Sequence, residues 1–150
     1  MHPANILIET APTSCAKECA HIARLARHHA LPDLPESHTV AEDEDFFSHR
    51  VFETDTVLVA LDGSGTILGF IAFADGWVNH LYVLPDFQRL GIGARLLQKA
   101  KEAWPRLQVW SSEHNTAALR FFEKQGFVPV NRPENEEHEP DIVLRWDRRL

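Results

Sequence analysis

No stretch of this sequence approaches the roughly 18 apolar residues that crossing a bilayer requires, and the opening "MHPANILIE" has no basic region followed by an apolar core. Neither a membrane partner nor a secretory leader is expected, and the reading is a cytoplasmic protein. Positive charge is in short supply: 15 Lys and Arg stand against 22 Asp and Glu, a formal charge of −7. That is the wrong sign for holding a phosphate backbone non-specifically, so nucleic acid is not an expected partner, whereas a cationic substrate suits the field. Cysteine is scarce as well. Cys15 and Cys19 lack the companion ligands of a metal site, and with Ile22 and Ala26 they form one stripe of a helix, so buried core thiols are expected and no metal. Repeats, low-complexity segments and Gly/Ser-rich linkers are also missing. A chain of 150 residues can bury about two thirds of its unfolded surface, and one domain over residues 1–150 is the expectation.

What is present alternates between strand and helix signals. "ANILIE" reads as a first strand, followed by Thr13 or Ser14 as the N-cap of a helix reaching about Ala30. The prolines and acids of "LPDLPESH" end it. Thr39 with Glu42 makes a capping box, so the acids at 42–45 are expected on the positive end of a second helix. "TVLVAL" and "TILGFIAFA" flank "DGSG", whose glycines supply the positive φ of a tight hairpin. "WVNHLYVL" is a third strand. Leu90, Gly93, Leu97, Ala100 and Trp104 then recur at helical spacing. "LQVWSS", the helix "NTAALRFFEKQ" stopped by Gly126, "GFVPV" and "DIVLRW" complete a mixed α/β sheet rather than a doubly wound one.

The segment "LYVLPDFQRLGIGARLLQKA", residues 81–100, places two glycines where a helix begins. A helix N-terminus carries about half a positive charge and unpaired N–H groups, and glycines let backbone amides close around a pyrophosphate. Close helix packing alone would explain the glycines equally well if the turn stood by itself. No Gly-Lys-Ser/Thr follows, which excludes a P-loop, and Leu96 stands where a dinucleotide fingerprint has its third glycine.

The turn has company. Gln88-Arg89-Leu90-Gly91-Ile92-Gly93, followed by Asn115-Thr116-Ala117-Ala118 and then Phe121-Phe122 and Gly126-Phe127, resembles the GCN5-related N-acetyltransferase (GNAT) superfamily in motif order and spacing. The resemblance covers residues 55–130 well. It implies a GNAT-like fold, a central mostly antiparallel sheet of about six to seven strands flanked by about four helices. It also implies acetyl-CoA as co-substrate, with its pyrophosphate on the amides of Gln88, Arg89, Leu90, Gly91, Ile92, Gly93 and Ala94, and its pantetheine arm along Leu81, Tyr82 and Val83. Asn115 would contact the cofactor, act as a helix N-cap, or both.

Two departures concern catalysis. Where the family often has a tyrosine that protonates the departing thiolate, this chain has Phe122, implied to lie beside the thioester sulfur, so water or the lone tyrosine, Tyr82, must serve. Some relatives carry a glutamate where Trp77 stands, leaving His80 or Glu113 as candidate bases, with structural packing and solvent exposure as their ordinary explanations. Trp77, and Glu136 and Glu137 of the acidic segment "NRPENEEHEPD", are candidates for receiving a primary amine, small-molecule or peptide. The expected activity is direct attack of that amine on acetyl-CoA in a ternary complex, with strand amides polarising the carbonyl. A non-catalytic acyl-CoA sensor or interaction module on the same fold stays open, as does a homodimer.

Overall fold

Residues 5–130 and 141–148 are described by the computed structural model. β1 (Leu7–Thr10) leads through a 3-10 turn to α1 (Ala16–Ala30), and α2 (Val40–Phe46) runs through a π-turn, Phe47–Val51, into the short α3 (Phe52–Thr54). β2 (Thr56–Leu61), β3 (Ile67–Ala74) and β4 (Trp77–Val83) form the meander. α4 (Ile92–Ala103), β5 (Arg106–Ser112), α5 (Thr116–Lys124), β6 (Val128–Val130) and β7 (Asp141–Asp147) follow. The sheet has seven strands in the order β1-β2-β3-β4-β5-β7-β6. Only β4 and β5 are parallel neighbours; the other pairs are antiparallel.

The sheet divides the core in two. On one face α1 and the π-turn contribute Cys19, Ile22, Phe47 and Val51, packed on Val57, Val59, Phe70 and Ala72. On the other, Ile92, Leu96, Leu97 and Ala100 of α4 and Phe122 of α5 meet Leu68, Ile71, Val78, Leu107 and Val109. β3 is covered on both faces, which is why "ILGFIAFA" is a continuous apolar run rather than an alternating one.

Several local expectations are corrected. Thr13 and Ser14 do not cap α1; the 3-10 turn over Thr13–Cys15 carries the chain into the helix with no side-chain cap. In the β2–β3 hairpin only Gly65 has positive φ, because the Asp62 carboxylate already shapes the turn by accepting from the amides of Ser64 and Thr66 at 2.9 and 3.0 Å. Cys19 is buried while Cys15 is half-buried. The core stripe of α4 includes Ile92 and Leu96, which the spacing from Leu90 passed over.

The capping box of Thr39 and Glu42 is formed. The acids that follow are not all on the solvated face, since Asp43 is 9% exposed and its Oδ2 lies 2.7 Å from Arg24 and 3.5 Å from Arg27 of α1. Arg27 also reaches Glu36 at 3.1 Å, so α1, the connection after it and α2 are tied together. Asp43→Ala removes the shared acceptor of two guanidinium groups and is expected to lower stability by roughly 1–3 kcal/mol in urea unfolding; an unchanged midpoint would show that the web is decorative.

Candidate functional site

The parallel pairing of β4 and β5 is short. It joins only Trp77 to Gln108 and Val78 to Val109, although each strand runs on for several residues. Just beyond, the β3–β4 register shifts between Ala72/Phe73, so that Val78 and His80 pair with adjacent residues of β3 and Asn79 is bulged. A bulge bends its strand, and from here β4 and β5 part. Leu84 donates its amide to Leu68 of β3 at 2.8 Å. By strand alternation Tyr82 and His80 also direct their backbone groups toward β3, and the backbone groups of Leu81 and Val83 face the opening. Gln88 bonds across the top of it, donating from Nε2 to the Val83 carbonyl at 3.0 Å.

At the same edge stands the glycine turn. Arg89 has φ +68° and Gly91 φ +85°, two left-handed residues separated by one. Such a sequence turns successive amides toward a common point, as anion nests do. The first helical bond of α4 runs from the Arg95 amide to the Gly91 carbonyl at 3.0 Å, so the amides of Ile92, Gly93 and Ala94 have no acceptor within the helix. The two glycines serve different ends. At Gly91 an added Cβ would meet nothing within 4 Å, and the positive φ alone calls for glycine. At Gly93 the backbone is ordinary, but a Cβ would lie 3.4 Å from the Phe121 ring.

Because β4 and β5 are parallel, the turn after β5 lies at this edge too. It carries the exposed Glu113 and then Asn115, whose Oδ1 accepts from the Ala118 amide at 3.1 Å. Asn115 is thus the N-cap of α5, and the cap uses only the oxygen of its carboxamide. Phe122 is 6% exposed, edge-to-face with Phe121 at 5.2 Å and Phe127 at 5.3 Å. Of the paired aromatics, it is Phe121 that lies against the first turn of α4. Glu136 and Glu137 lie outside the described residues.

Trp77, His80 and Tyr82 share the face of β4 that α1 and α2 approach. His80 is packed on Phe47 with ring centroids 5.1 Å apart and on Phe46 at 6.1 Å, and its Nδ1 has no hydrogen-bond partner among the described residues. Burial pulls its pKa down to about 4, Asp55 opposes this, and Arg27 adds to it. His80 is therefore neutral at working pH, and a weak base. Burial raises the Tyr82 phenol, and Arg27, which hydrogen-bonds it, opposes the rise.

The His80 shift has a consequence for stability. Folding favours the neutral ring, so its contribution is complete above the unfolded value near 6.5 and is lost as pH falls from there toward 4. His80→Phe is expected to flatten the fall in melting temperature between pH 7 and pH 4.5 relative to the parent. An identical slope in both proteins would place the acid sensitivity elsewhere.

Some features of this site carried no recognisable sign in the sequence. The left-handed Arg89 was one, since Gln-Arg-Leu contains nothing that demands positive φ. Trp110 was another: 49% exposed on β5, it stacks on Trp77 at 6.2 Å and 11°. Alternation with the buried Leu107 and Val109 places it on the opposite face, yet nothing local says that this face is left uncovered there.

Comparison with known proteins agrees with this geometry. Residues 53–129 match the family model of the acetyltransferase (GNAT) domain. The peptidyl-lysine N-acetyltransferase YiaC of Escherichia coli K12 is 30% identical over 84 residues, 55% of this chain and 58% of YiaC, so the match spans little more than half of that relative. Among solved structures, apo YjaB of Escherichia coli superposes with a TM-score of 0.71 at 25% identity, covering 93% of this chain and 95% of YjaB. The PaiA N-acetyltransferase of Thermoplasma acidophilum, solved with coenzyme A, superposes with a TM-score of 0.75 at 17% identity over 95% of this chain and 98% of its own.

Proposed function

Because the chain belongs to the acetyltransferase (GNAT) domain family, we propose that it transfers the acetyl group of acetyl-CoA to a primary amine. The observation that carries this is the opening between β4 and β5, with the backbone of Leu81 and Val83 turned into it and the amides of the glycine turn at its end. An extended arm with alternating amides can add there as a strand would, using the Leu81 and Val83 groups in place of the missing β5 partner. Its pyrophosphate then meets the nest at Arg89–Gly91 and the free amides of Ile92, Gly93 and Ala94, where the helix dipole favours negative charge. Gln88 holds this turn to β4, and the exposed Arg89 adds positive charge to it. Asn115 bounds the opening on the β5 side.

The reaction needs three things from the chain: a polarised thioester carbonyl, an unprotonated amine, and a proton for the departing thiolate. Strand N–H groups at the bulge supply the first, and preorganised donors of this kind usually contribute more to acyl transfer than any other single effect. For the second, His80 is neutral but of low basicity, so its part is to accept a hydrogen bond from an amine already deprotonated; Glu113, exposed beside the end of β5, is the other candidate to take the amine's proton. The C–N bond forms as the amine attacks, the tetrahedral intermediate collapses with loss of the C–S bond, and the thiolate takes its proton from water or Tyr82. YiaC is named for peptidyl-lysine, which makes a lysyl amine one acceptor to test.

The experiment measures acetyl-CoA affinity by calorimetry and thiol release with a panel of amines. Binding with thiol release no faster than buffer for every amine would favour the sensor reading, which the phenylalanine at position 122 also suits; absence of binding would end both.

A further inference from the structure

The acceptor side of this site has a chemical character of its own. Resting on the acetyl-transfer reading above, we propose that the strip of β4 between Phe46 and Trp110 seats the acceptor, and that the acceptor is a primary alkylamine joined by a short chain to an aromatic ring.

Three observations lead there. Phe46 and Trp110 are among the few exposed large apolar side chains of the described residues, at 45% and 49%. Each stands on the same strand through a ring contact, Phe46 on His80 at 6.1 Å and Trp110 on Trp77 at 6.2 Å. Across the bulge His80 and Trp77 pair with Ala72 and Ala74, two residues apart on β3, so the two ring contacts are about 7 Å apart along the strand, room for one flat ring between aromatic walls. The strip also sits where β4 and β5 part, on the face that α4 and α5 leave open, so an amine held there is next to the strand amides assigned to the thioester. Finally, the charge is complementary to an ammonium. The cations around this face are engaged, Arg24 and Arg27 by Asp43 and Glu36 and, on β5 and β7, Arg106 and Arg145 by Asp147 at 2.6 and 3.4 Å, while Asp55 is held beside the bulge by Asn79 at 3.0 Å.

A ring inserted here would meet aromatic faces on both sides, offset or edge-on, and would cover surface that is otherwise wet. Where α2 meets the π-turn, the consecutive Phe46 and Phe47 face different sides, Phe47 buried in the core and Phe46 exposed beside the strip. Burial keeps His80, the floor of the strip, uncharged at neutral pH, so it does not repel the incoming cation. A linear alkylamine would gain the ammonium contacts without the ring contacts, and an amino acid would bring a carboxylate toward Asp55.

The test uses the full-length chain and separates binding from turnover. 2-Phenylethylamine, n-butylamine and an α-blocked lysine amide are titrated into the CoA-loaded protein with tryptophan fluorescence as the readout, and each is then assayed for thiol release from acetyl-CoA. The expected result is at least tenfold tighter binding of 2-phenylethylamine than of either alkylamine, a preference that Trp110→Ala and Phe46→Ala each reduce at least fivefold. Acetyl-CoA affinity serves as the folding check on both variants. Equal affinity for the three amines, tighter binding of the lysine amide, or a preference that survives both substitutions would overturn the proposal. Preferential binding of 2-phenylethylamine with no thiol release would leave this seat standing and overturn acetyl transfer instead.

Discussion

Phe122→Ala is expected to lower stability by roughly 3–5 kcal/mol, a large share of what a domain of this size possesses. The ring is 6% exposed and joins α5 to the core through Phe127, among side chains of α4 and the sheet. Its removal leaves a cavity between two helices that converge on the same edge as the glycine turn, so relaxation into the void would also displace Phe121 from Gly93. Urea unfolding is the direct measurement, and a loss under about 1 kcal/mol would mean that the site collapses freely. Phe122→Tyr asks a different question of the same ring. A hydroxyl that reaches the proposed thioester position is expected to leave the melting temperature within a few degrees and turnover equal or higher. A clear fall in melting temperature with unchanged turnover would show the hydroxyl left unpaired in the core, and would remove Phe122 from the cofactor site.

Gly91→Val is expected to weaken acetyl-CoA binding at least tenfold, an effect of about 1.4 kcal/mol or more. A β-branched residue forced to the φ of +85° found at Gly91 costs on the order of 1–3 kcal/mol. The cheapest relief is to rotate the very peptide units that form the anion nest. Two companions separate conformation from bulk. Gly91→Asn tolerates left-handed backbone and is expected to fold almost as stably as the parent while still reducing affinity, because its side chain occupies the open space beside the turn. Gly93→Ala has an ordinary φ and only the 3.4 Å approach to Phe121 to absorb, so its effect is expected to be small. Calorimetry that finds Gly91→Val binding acetyl-CoA as the parent does would remove the turn from the cofactor site.

Much of this was legible in residues alone. Short apolar runs bounded by turn residues identify each strand of the meander, the capping box at Thr39 and the N-cap at Asn115 are formed as read, and the spacing of the glycine turn and the Asn115–Phe127 segment marked the family. These features are local: a hydrogen bond spanning three residues, a backbone torsion, a period of two or of 3.6. The sequence by itself therefore determined the main strands and helices, their order and the place of the glycine turn.

Other properties arose only when elements met. That β4 and β5 separate after two paired residues depends on a bulge at Asn79, which is defined by the register with β3 and has no signature in "WVNHLYV". Asp43, one acid in a run of four that look alike, is buried because Arg24 and Arg27 of another helix converge on it. His80 is an ordinary strand histidine until Phe46 and Phe47 close over it and depress its pKa. Trp110 is left half-exposed because the helices of that face pack on β2, β3 and β4 and stop short of β5. Which side chains a strand presents is set by its own alternation, but what covers them, and where two neighbouring strands part, is decided by residues distant in the chain, and only the tertiary structure brings those together.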